Sequence, residues 1–164
     1  MALRRTPDIN QFETIVDQYQ NRLFRFAFMR IGNREVAEDL VQDVFVALYR
    51  VMVDGRAIRD FNSYLIQSIN NVCVAYYRKN RQILLSIEEV GEIPNEADKQ
   101  IYEEFHRIKR LLDDLPYEQA ETLRLKCYDD LTFREIAELH QIPEATVKSR
   151  YRYAIKHIQE KLKQ

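Results

Sequence analysis

The segment 131–151 constrains the fold of this chain most, because it holds the signals that begin one helix and then begin another. Thr132 and Glu135 have the spacing of a capping box, in which the threonine hydroxyl accepts from one free amide and the carboxylate accepts from the cap's own amide. Pro143 predicts the first turn of the next helix, since proline lacks an amide hydrogen that would be unpaired there. The sequence therefore predicts a helix-turn-helix with its turn at 141–143.

The second helix of this pair has one apolar side and one cationic side. At about 100° per residue, the apolar positions on one side are Val147, Tyr151, Ala154, Ile158 and Leu162. The opposite side carries Lys148, Ser149, Arg152, Tyr153, Lys156 and Lys163. Such a face suits a DNA major groove, which is lined by phosphates and base-edge acceptors. A solvated amphipathic helix is the other interpretation, and the capping box and short turn favour DNA binding over it.

Composition and charge predict an all-helical chain with two domains. With 3 glycines, 4 prolines and 46% apolar residues in 164, the chain can bury one modest core or two small ones. The net charge of −1 is unevenly spread, at +3 over 1–81, −6 over 82–104 and +2 over 105–164. We therefore predict helical domains at 1–81 and 99–164, joined by an acidic linker at 82–98.

Helical periodicity predicts where the individual helices lie. Residues 10–81 hold three long patterns, and the third runs from Phe61 to Arg81. The second domain holds four patterns, expected near 99–114, 117–127, 132–140 and 144–163. Pro116 is expected to open the second of these.

The sequence indicates no metal, no cofactor and no membrane span. Cys73 and Cys127 lie in apolar helical patterns without CxxC spacing or neighbouring histidines, so we expect two buried, reduced thiols. No apolar run approaches the roughly 20 residues that cross a bilayer, and no signal peptide is recognisable. A cytoplasmic protein without a small-molecule substrate is therefore expected.

The stretch from Arg34 to Tyr49 predicts a helix with an acidic outer face. Its inward stripe is Ala37, Val41, Val44 and Leu48, and its far side carries Asp39, Gln42, Asp43 and Val46. An apolar valine among acids indicates a docking face for another protein. Exposed valines are common on any protein surface, so an ordinary solvated face remains the alternative.

The pattern from Phe61 to Arg81 predicts a helix whose outer surface mixes amides, aromatics and arginines. Its core side is Leu65, Ile69, Val72 and Tyr76, and the residues pointing elsewhere are Ser63, Gln67, Asn70, Asn71, Arg78 and Arg81, with Tyr64 at the border. Such a surface suits unpaired nucleic acid: aromatic rings can stack on the bases, amides can hydrogen-bond to the base edges, and arginines can bind the phosphate backbone. The preceding loop carries Arg56 and Arg59, although an ordinary surface connection is its simplest interpretation.

Together these motifs resemble the extracytoplasmic-function sigma factors of bacteria. The resemblance rests on the run from Ala37 to Phe45, Asn71 with the later Tyr76-Tyr77-Arg78-Lys79, Leu115-Pro116, and Thr146 to Arg150. It spans nearly the whole chain and implies an all-helical region 2, a linker and a region 4. It also implies a protein that binds core RNA polymerase, recognises both promoter elements and helps to melt the downstream one without catalysis of its own. An anti-sigma partner, often anchored in the membrane, is implied as well.

The resemblance also assigns residues to three sites. Polymerase docking falls to Asp39, Leu40, Gln42, Asp43 and Phe45, with Leu40 and Phe45 expected to support the face rather than touch the partner. Minus-ten recognition falls to Arg56, Arg59, Tyr64, Asn71, Arg78 and Lys79. Minus-thirty-five recognition falls to Thr146, Lys148, Ser149, Arg150, Arg152 and Lys156. The helical spacing puts Arg150 on the flank, where a phosphate is its expected target.

Several positions depart from the family's pattern. The family often has tryptophan where Tyr64 stands, an acidic or amide residue at Ala75, glycine at Gln141, and arginines at Tyr153 and Ile155. A left-handed turn residue would cost Gln141 roughly 1 kcal/mol relative to glycine. The promoter sequence preference of relatives therefore does not transfer to this chain.

Two other functional classes remain open from the sequence. A helix-turn-helix regulator that binds duplex DNA without polymerase is one, and binding of free promoter DNA distinguishes it. An enzyme is the other, with candidate acid-base groups at Asp113-Asp114, Asp129-Asp130, His106, His140 and His157. Adjacent carboxylates on one helix diverge by about 100° and the histidines lack nearby partners in sequence, so catalysis is disfavoured.

Overall fold

A computed structural model of the protein describes residues 7–86 and 96–163, and the regular elements within them are all helical. The chain divides into two units, Met1–Glu92 and Ile93–Gln164. Unit 1 contains α1 (Ile9–Ile31), α2 (Arg34–Val53) and α3 (Phe61–Ser86). Unit 2 contains α4 (Glu96–Leu112), α5 (Tyr117–Leu123) with its π-helical continuation Arg124–Tyr128, α6 (Phe133–His140) and α7 (Glu144–Leu162). The predicted all-helical class is confirmed.

The corner between α1 and α2 is built by two adjacent residues. Gly32 takes a left-handed φ of 73°, which lets its amide donate to the Phe28 carbonyl at 2.8 Å and end α1. Asn33 then caps α2, because its side-chain oxygen accepts from the Val36 amide at 3.0 Å. The glycine-asparagine pair thus ends one helix and begins the next.

The three helices of unit 1 pack against one another along their apolar stripes. Side chains that are fully buried there include Leu23, Phe26, Phe28, Val44, Leu48, Leu65 and Ile69. Arg22 of α1 donates to the Asn62 side-chain oxygen at 2.6 Å, which ties α1 to the first turn of α3. The core therefore fixes which side of α2 and which side of α3 remain outside.

Helix α3 is longer than the pattern predicts and is kinked. Asn80 has non-helical angles, φ −115° and ψ 15°, and its side-chain amide donates to the Tyr76 carbonyl at 3.0 Å. The side chain thus bonds a backbone carbonyl within α3, close to the kink. After the kink the helix continues to Ser86, beyond the expected end at Arg81.

The ends of the predicted linker, 82–98, are helical. Helix α3 extends into it as far as Ser86, and α4 begins within it at Glu96. Residues 87–95 of the linker lie outside the described residues.

The predicted helix-turn-helix is present in unit 2. The Glu135 amide donates to the Thr132 hydroxyl at 3.1 Å, and the Thr132 amide donates to the Glu135 carboxylate at 3.1 Å, which completes the capping box. Gln141 ends α6 in the left-handed region, with φ 55° and ψ 45°. Pro143 occupies the cap position one residue before α7 rather than its first turn, and Pro116 does the same before α5.

One predicted burial is wrong, and one apolar-side residue of α7 is exposed. Cys73 is a buried free thiol as expected, but Cys127 is exposed. Cys127 lies in the π-helical turn, where the Asp129 amide donates to the Arg124 carbonyl at 3.0 Å, and such a wider turn rotates side chains away from their α-helical positions. Leu162 is 73% exposed because it is the last residue of α7 and extends past the core.

We predict that Gln141→Gly stabilises unit 2 by up to about 1 kcal/mol, because glycine adopts the left-handed conformation without a Cβ penalty. Thermal or urea unfolding of the purified chain measures the change. Gln141→Ala is the matched control and should bring no gain, since alanine meets the same steric cost. Equal stability of the glycine and alanine variants would contradict the assignment of strain to this residue.

Candidate functional site

The outward side of α7 is a polar and cationic surface. Val147 and Ala154 are fully buried, and the residues Lys148, Ser149, Arg152 and Lys156 are all exposed. Thr146 and Arg150 are half-buried, which agrees with the flanking position that helical spacing predicts for Arg150. The ion pair between Lys148 and Glu144, 3.4 Å apart, is solvent-exposed and hence weak, so Lys148 remains available to an external anion.

Aromatic packing holds α7 against the rest of the helix-turn-helix. The ring of Tyr151 meets Phe133 of α6 edge to face, with centroids 5.2 Å apart. The ammonium group of Lys126, in the π-helical continuation of α5, lies 4.7 Å from the centroid of the same Phe133 ring. Burial raises the pKa of Tyr151, and the nearby Cys127 thiol adds to the shift. The inner side of α7 is therefore a packed surface, which leaves its outer side for a partner.

The outer face of α2 carries the acidic groups that the sequence placed there. Asp39, Gln42 and Asp43 are exposed, and Val46, one turn after Gln42 and Asp43, is 44% exposed. Leu40 and Phe45 are each 8% exposed, so they lie beneath this face and support it. The face offers two carboxylates next to an exposed apolar side chain, which suits a partner with complementary basic groups.

The candidate minus-ten residues lie along α3 and in the loop before it. Tyr64, Asn71 and Arg78 recur every seven residues, so they share one side of the helix, with Tyr64 half-buried and the other two exposed. Lys79 is exposed beside them, and the loop residues Arg56 and Arg59 are exposed as well. Arg56 pairs with Asp54 only at 3.8 Å on an open surface.

Two exposed aromatic rings beside these faces are missing from the predicted set. Tyr49 is 41% exposed one turn after Val46, and its ring contacts Phe12 of α1 with centroids 5.3 Å apart. Tyr77 is 49% exposed beside Arg78. Their helical spacing from the predicted residues is the sequence signal that identifies both.

The residue before α3 ties the arginine-bearing loop to the helix. The Asp60 carboxylate accepts hydrogen bonds from the Ser63 hydroxyl at 2.6 Å and from the backbone N–H of Asn62 at 3.0 Å. These bonds, chiefly that from Ser63, favour the charged form and lower the pKa of Asp60 from its ordinary value of 3.8. An ionised carboxylate therefore orders the junction between loop and helix.

The described part of the chain contains neither a metal-binding cluster nor a membrane-spanning helix. Across 7–86 and 96–163, no three histidine, cysteine, aspartate or glutamate side chains come together in a way that could hold a metal ion. None of the helices described is both long and apolar enough to span a bilayer.

Two family models match the two halves of the chain. The model described as Sigma-70 region 2 matches residues 15–83, and the model described as Sigma-70, region 4 matches residues 105–158. Between them they include α2 and α6 and most of α3 and α7. The chain belongs to the sigma-70 family of RNA polymerase sigma factors.

Similar proteins indicate the group within the sigma-70 family to which the chain belongs. The chain is 28% identical to the extracytoplasmic-function sigma factor SigW of Bacillus subtilis, over 87% of this chain and 84% of that protein. It is 24% identical to SigV of the same species, over 87% and 86%, and 26% identical to sigma-E of Escherichia coli, over 87% and 82%. The chain is an extracytoplasmic-function, group 4 member of the family.

Solved structures agree on the fold. CnrH, in complex with the cytosolic domain of CnrY, superposes with a TM-score of 0.70 at 20% identity and covers 95% of this chain and 90% of that one. The sigma factor RpoE of Bartonella quintana, in complex with the anti-sigma factor NepR, gives 0.68 at 24% identity, over 93% and 97%.

We predict that Asp60 titrates below its ordinary range and that Ser63→Ala raises its pKa toward 3.8. A carboxyl with a lowered folded pKa stabilises the fold above its unfolded pKa, and the contribution is lost as the pH falls through the folded pKa. NMR titration of the Asp60 carboxyl carbon measures the shift, with Ser68→Ala as the control on the same helix. An Asp60 midpoint that Ser63→Ala leaves in place would contradict the assigned cause.

Proposed function

We propose that this sigma factor binds core RNA polymerase through α2, contacts the two promoter elements through α3 and α7, and so directs promoter-specific initiation. The observation that carries the proposal is the exposed cationic face of α7, presented by a capped helix and a tight turn. Membership of the family supplies the polymerase and the promoter as partners. The chain acts in this proposal by binding alone, with no catalytic group, cofactor or metal of its own.

The acidic face of α2 is the proposed docking surface for polymerase. Asp39 and Asp43 supply charge, Gln42 supplies hydrogen bonds, and Val46 supplies an apolar centre that loses water on binding. Leu40 and Phe45 hold this surface rigid from below, so that little ordering of the backbone is needed when the partner binds.

The side of α3 that carries Tyr64, Asn71 and Arg78 is the proposed minus-ten surface. Unstacking a base to open the duplex costs a few kcal/mol, by analogy with base-flipping proteins. The protein must offset this cost by binding the unstacked bases. Tyr64 and the loop at 54–60 are the proposed receptor for such a base, while Arg78 and Lys79 hold the backbone. Arg56 in that loop makes only a weak, exposed ion pair with Asp54, so its guanidinium is available to a phosphate group. Arg59 in the same loop is exposed as well.

The outer side of α7 is the proposed minus-thirty-five reader. Lys148, Ser149, Arg152 and Lys156 face the groove, and Thr146 and Arg150 contact the flanking backbone. The missing arginines at Tyr153 and Ile155 reduce the number of phosphate contacts and hence the salt dependence of binding.

Avidity links the three surfaces. Once polymerase holds both domains, 1–81 and 99–164, at the spacing of the promoter elements, each DNA contact becomes intramolecular, and weak affinities combine by factors of roughly 10²–10⁴. The acidic linker, 82–98, joins the two domains, and we propose that its negative charge keeps it from being trapped on duplex DNA. An anti-sigma protein that covers the α2 face would block the first step, and we propose such a partner for this chain.

Asp43→Ala is predicted to weaken assembly with core polymerase by roughly fivefold, the worth of one exposed charge contact at an interface. Fluorescence anisotropy of labelled protein titrated with bacterial core polymerase measures the affinity. Glu103→Ala removes the same charge from an exposed position on α4 and should leave assembly unchanged. Equal losses in the two variants, or none in either, would count against α2 as the docking face.

Arg152→Ala is predicted to reduce initiation about tenfold or more at promoters that need the upstream element, because one good base contact is worth about 1–3 kcal/mol. Run-off transcription with purified core polymerase on a promoter library measures this effect. Arg107→Ala, an exposed arginine on α4, is the charge-matched control. Binding of the same promoters by the chain without polymerase, at equal affinity, would instead favour a conventional duplex-binding regulator.

A further inference from the structure

Tyr153 is an exposed aromatic ring on the outer side of α7. The side chain is 64% exposed, although tyrosine is a large and mostly apolar residue. It lies four residues after Ser149 and three before Lys156, so helical geometry puts it next to both. The neighbouring Tyr151 differs, since its ring packs against Phe133 at 5.2 Å. Tyr153 therefore belongs to the surface that faces a partner and not to the core.

The DNA major groove offers one apolar group. Base edges there present hydrogen-bond donors and acceptors, and only thymine adds a methyl group at C5. Lysine and arginine are attracted to phosphates and to the acceptor atoms of guanine by their positive charge. The ring of Tyr153 is uncharged and has no such attraction. An aromatic ring among groove-facing polar residues meets complementary chemistry at thymine.

We propose that Tyr153 sets a preference for thymine at one position of the upstream promoter element, by packing its ring against the 5-methyl group. The proposal rests on the function proposed above and adds the base that this chain selects there. Ser149 and Lys156 on either side hold the helix in register through base-edge and phosphate contacts, so the ring needs no charge to be positioned. The preference is a property of tyrosine at this position and does not extend to chains with arginine there.

The contact has a specific chemical signature. Replacing thymine by deoxyuridine removes the methyl group and leaves every hydrogen-bonding group of the base pair in place. Loss of one methyl-sized contact is expected to lower affinity about fourfold. A contact made by the tyrosine hydroxyl would instead ignore this change and respond to Tyr153→Phe.

The experiment uses the full chain assembled with core polymerase. A promoter library first identifies the upstream sequences that the wild-type holoenzyme prefers. Each thymine of the preferred element is then replaced singly by deoxyuridine, and holoenzyme binding is measured for the wild type, Tyr153→Phe and Tyr153→Ala. Circular dichroism checks that each variant remains folded, which the exposure of the side chain favours.

At one thymine, the wild type and Tyr153→Phe should each lose about fourfold on removal of the methyl group, while Tyr153→Ala should lose nothing there. A preferred element without thymine, a methyl effect that Tyr153→Ala retains, or a Tyr153→Phe variant as insensitive as Tyr153→Ala would overturn the proposal. These results leave the proposed function intact if the wild type still initiates selectively. Failure of the wild-type holoenzyme to select any promoter would overturn both.

Discussion

The burial of one apolar stripe on α7 is the constraint on which the candidate DNA surface depends. Val147 and Ala154 are fully buried and lie seven residues apart, so they fix the rotation of the helix about its own axis. Turning the helix would expose both, at a cost of roughly 1.5–3 kcal/mol for the valine alone. The positions of Lys148 and Arg152 on the outer side follow from this packing. Residues buried in the core thus determine which side chains form the candidate DNA surface.

The same constraint operates in unit 1. Val44 and Leu48 are buried in the bundle, and this orients α2 so that Asp39 and Asp43 face outward. Each small unit commits one side of each helix to its core and leaves the opposite side for partners. Binding surfaces on rigid helices need little ordering when a partner arrives, which favours recognition by several modest contacts.

The sequence predicts the parts of the fold that depend on local rules. The capping box of Thr132 and Glu135 and the buried and exposed faces of α2 follow from spacing. The left-handed turn at Gln141 follows only from the resemblance to a family that often has glycine there. The exposure of Cys127 does not follow from spacing, because the helical pattern assumes an α-helical turn and Cys127 lies in a π-helical one. The kink at Asn80 is similar, since asparagine in a helix either faces solvent or bonds the backbone, and only packing decides which.

The candidate site shows the same division. Helical spacing identifies which side chains share a face, and it places Tyr49 and Tyr77 beside the predicted residues. It does not show how far each side chain protrudes, so the exposure of these two rings comes from the structure alone. Roles on those faces come from chemistry and family membership together. The exposure of a side chain allows it to contact polymerase or DNA, and binding measurements on variants show whether it does.

In the proposed function, promoter selection depends on polymerase holding two weakly binding units at once. The most direct test compares the affinity of the free chain and of the holoenzyme for one DNA fragment that carries both promoter elements, at the same salt concentration. We expect the holoenzyme to bind at least about 100-fold more tightly than the free chain, and core polymerase alone to show no sequence preference. A free chain that selects the promoter as tightly as the holoenzyme would contradict the proposed function.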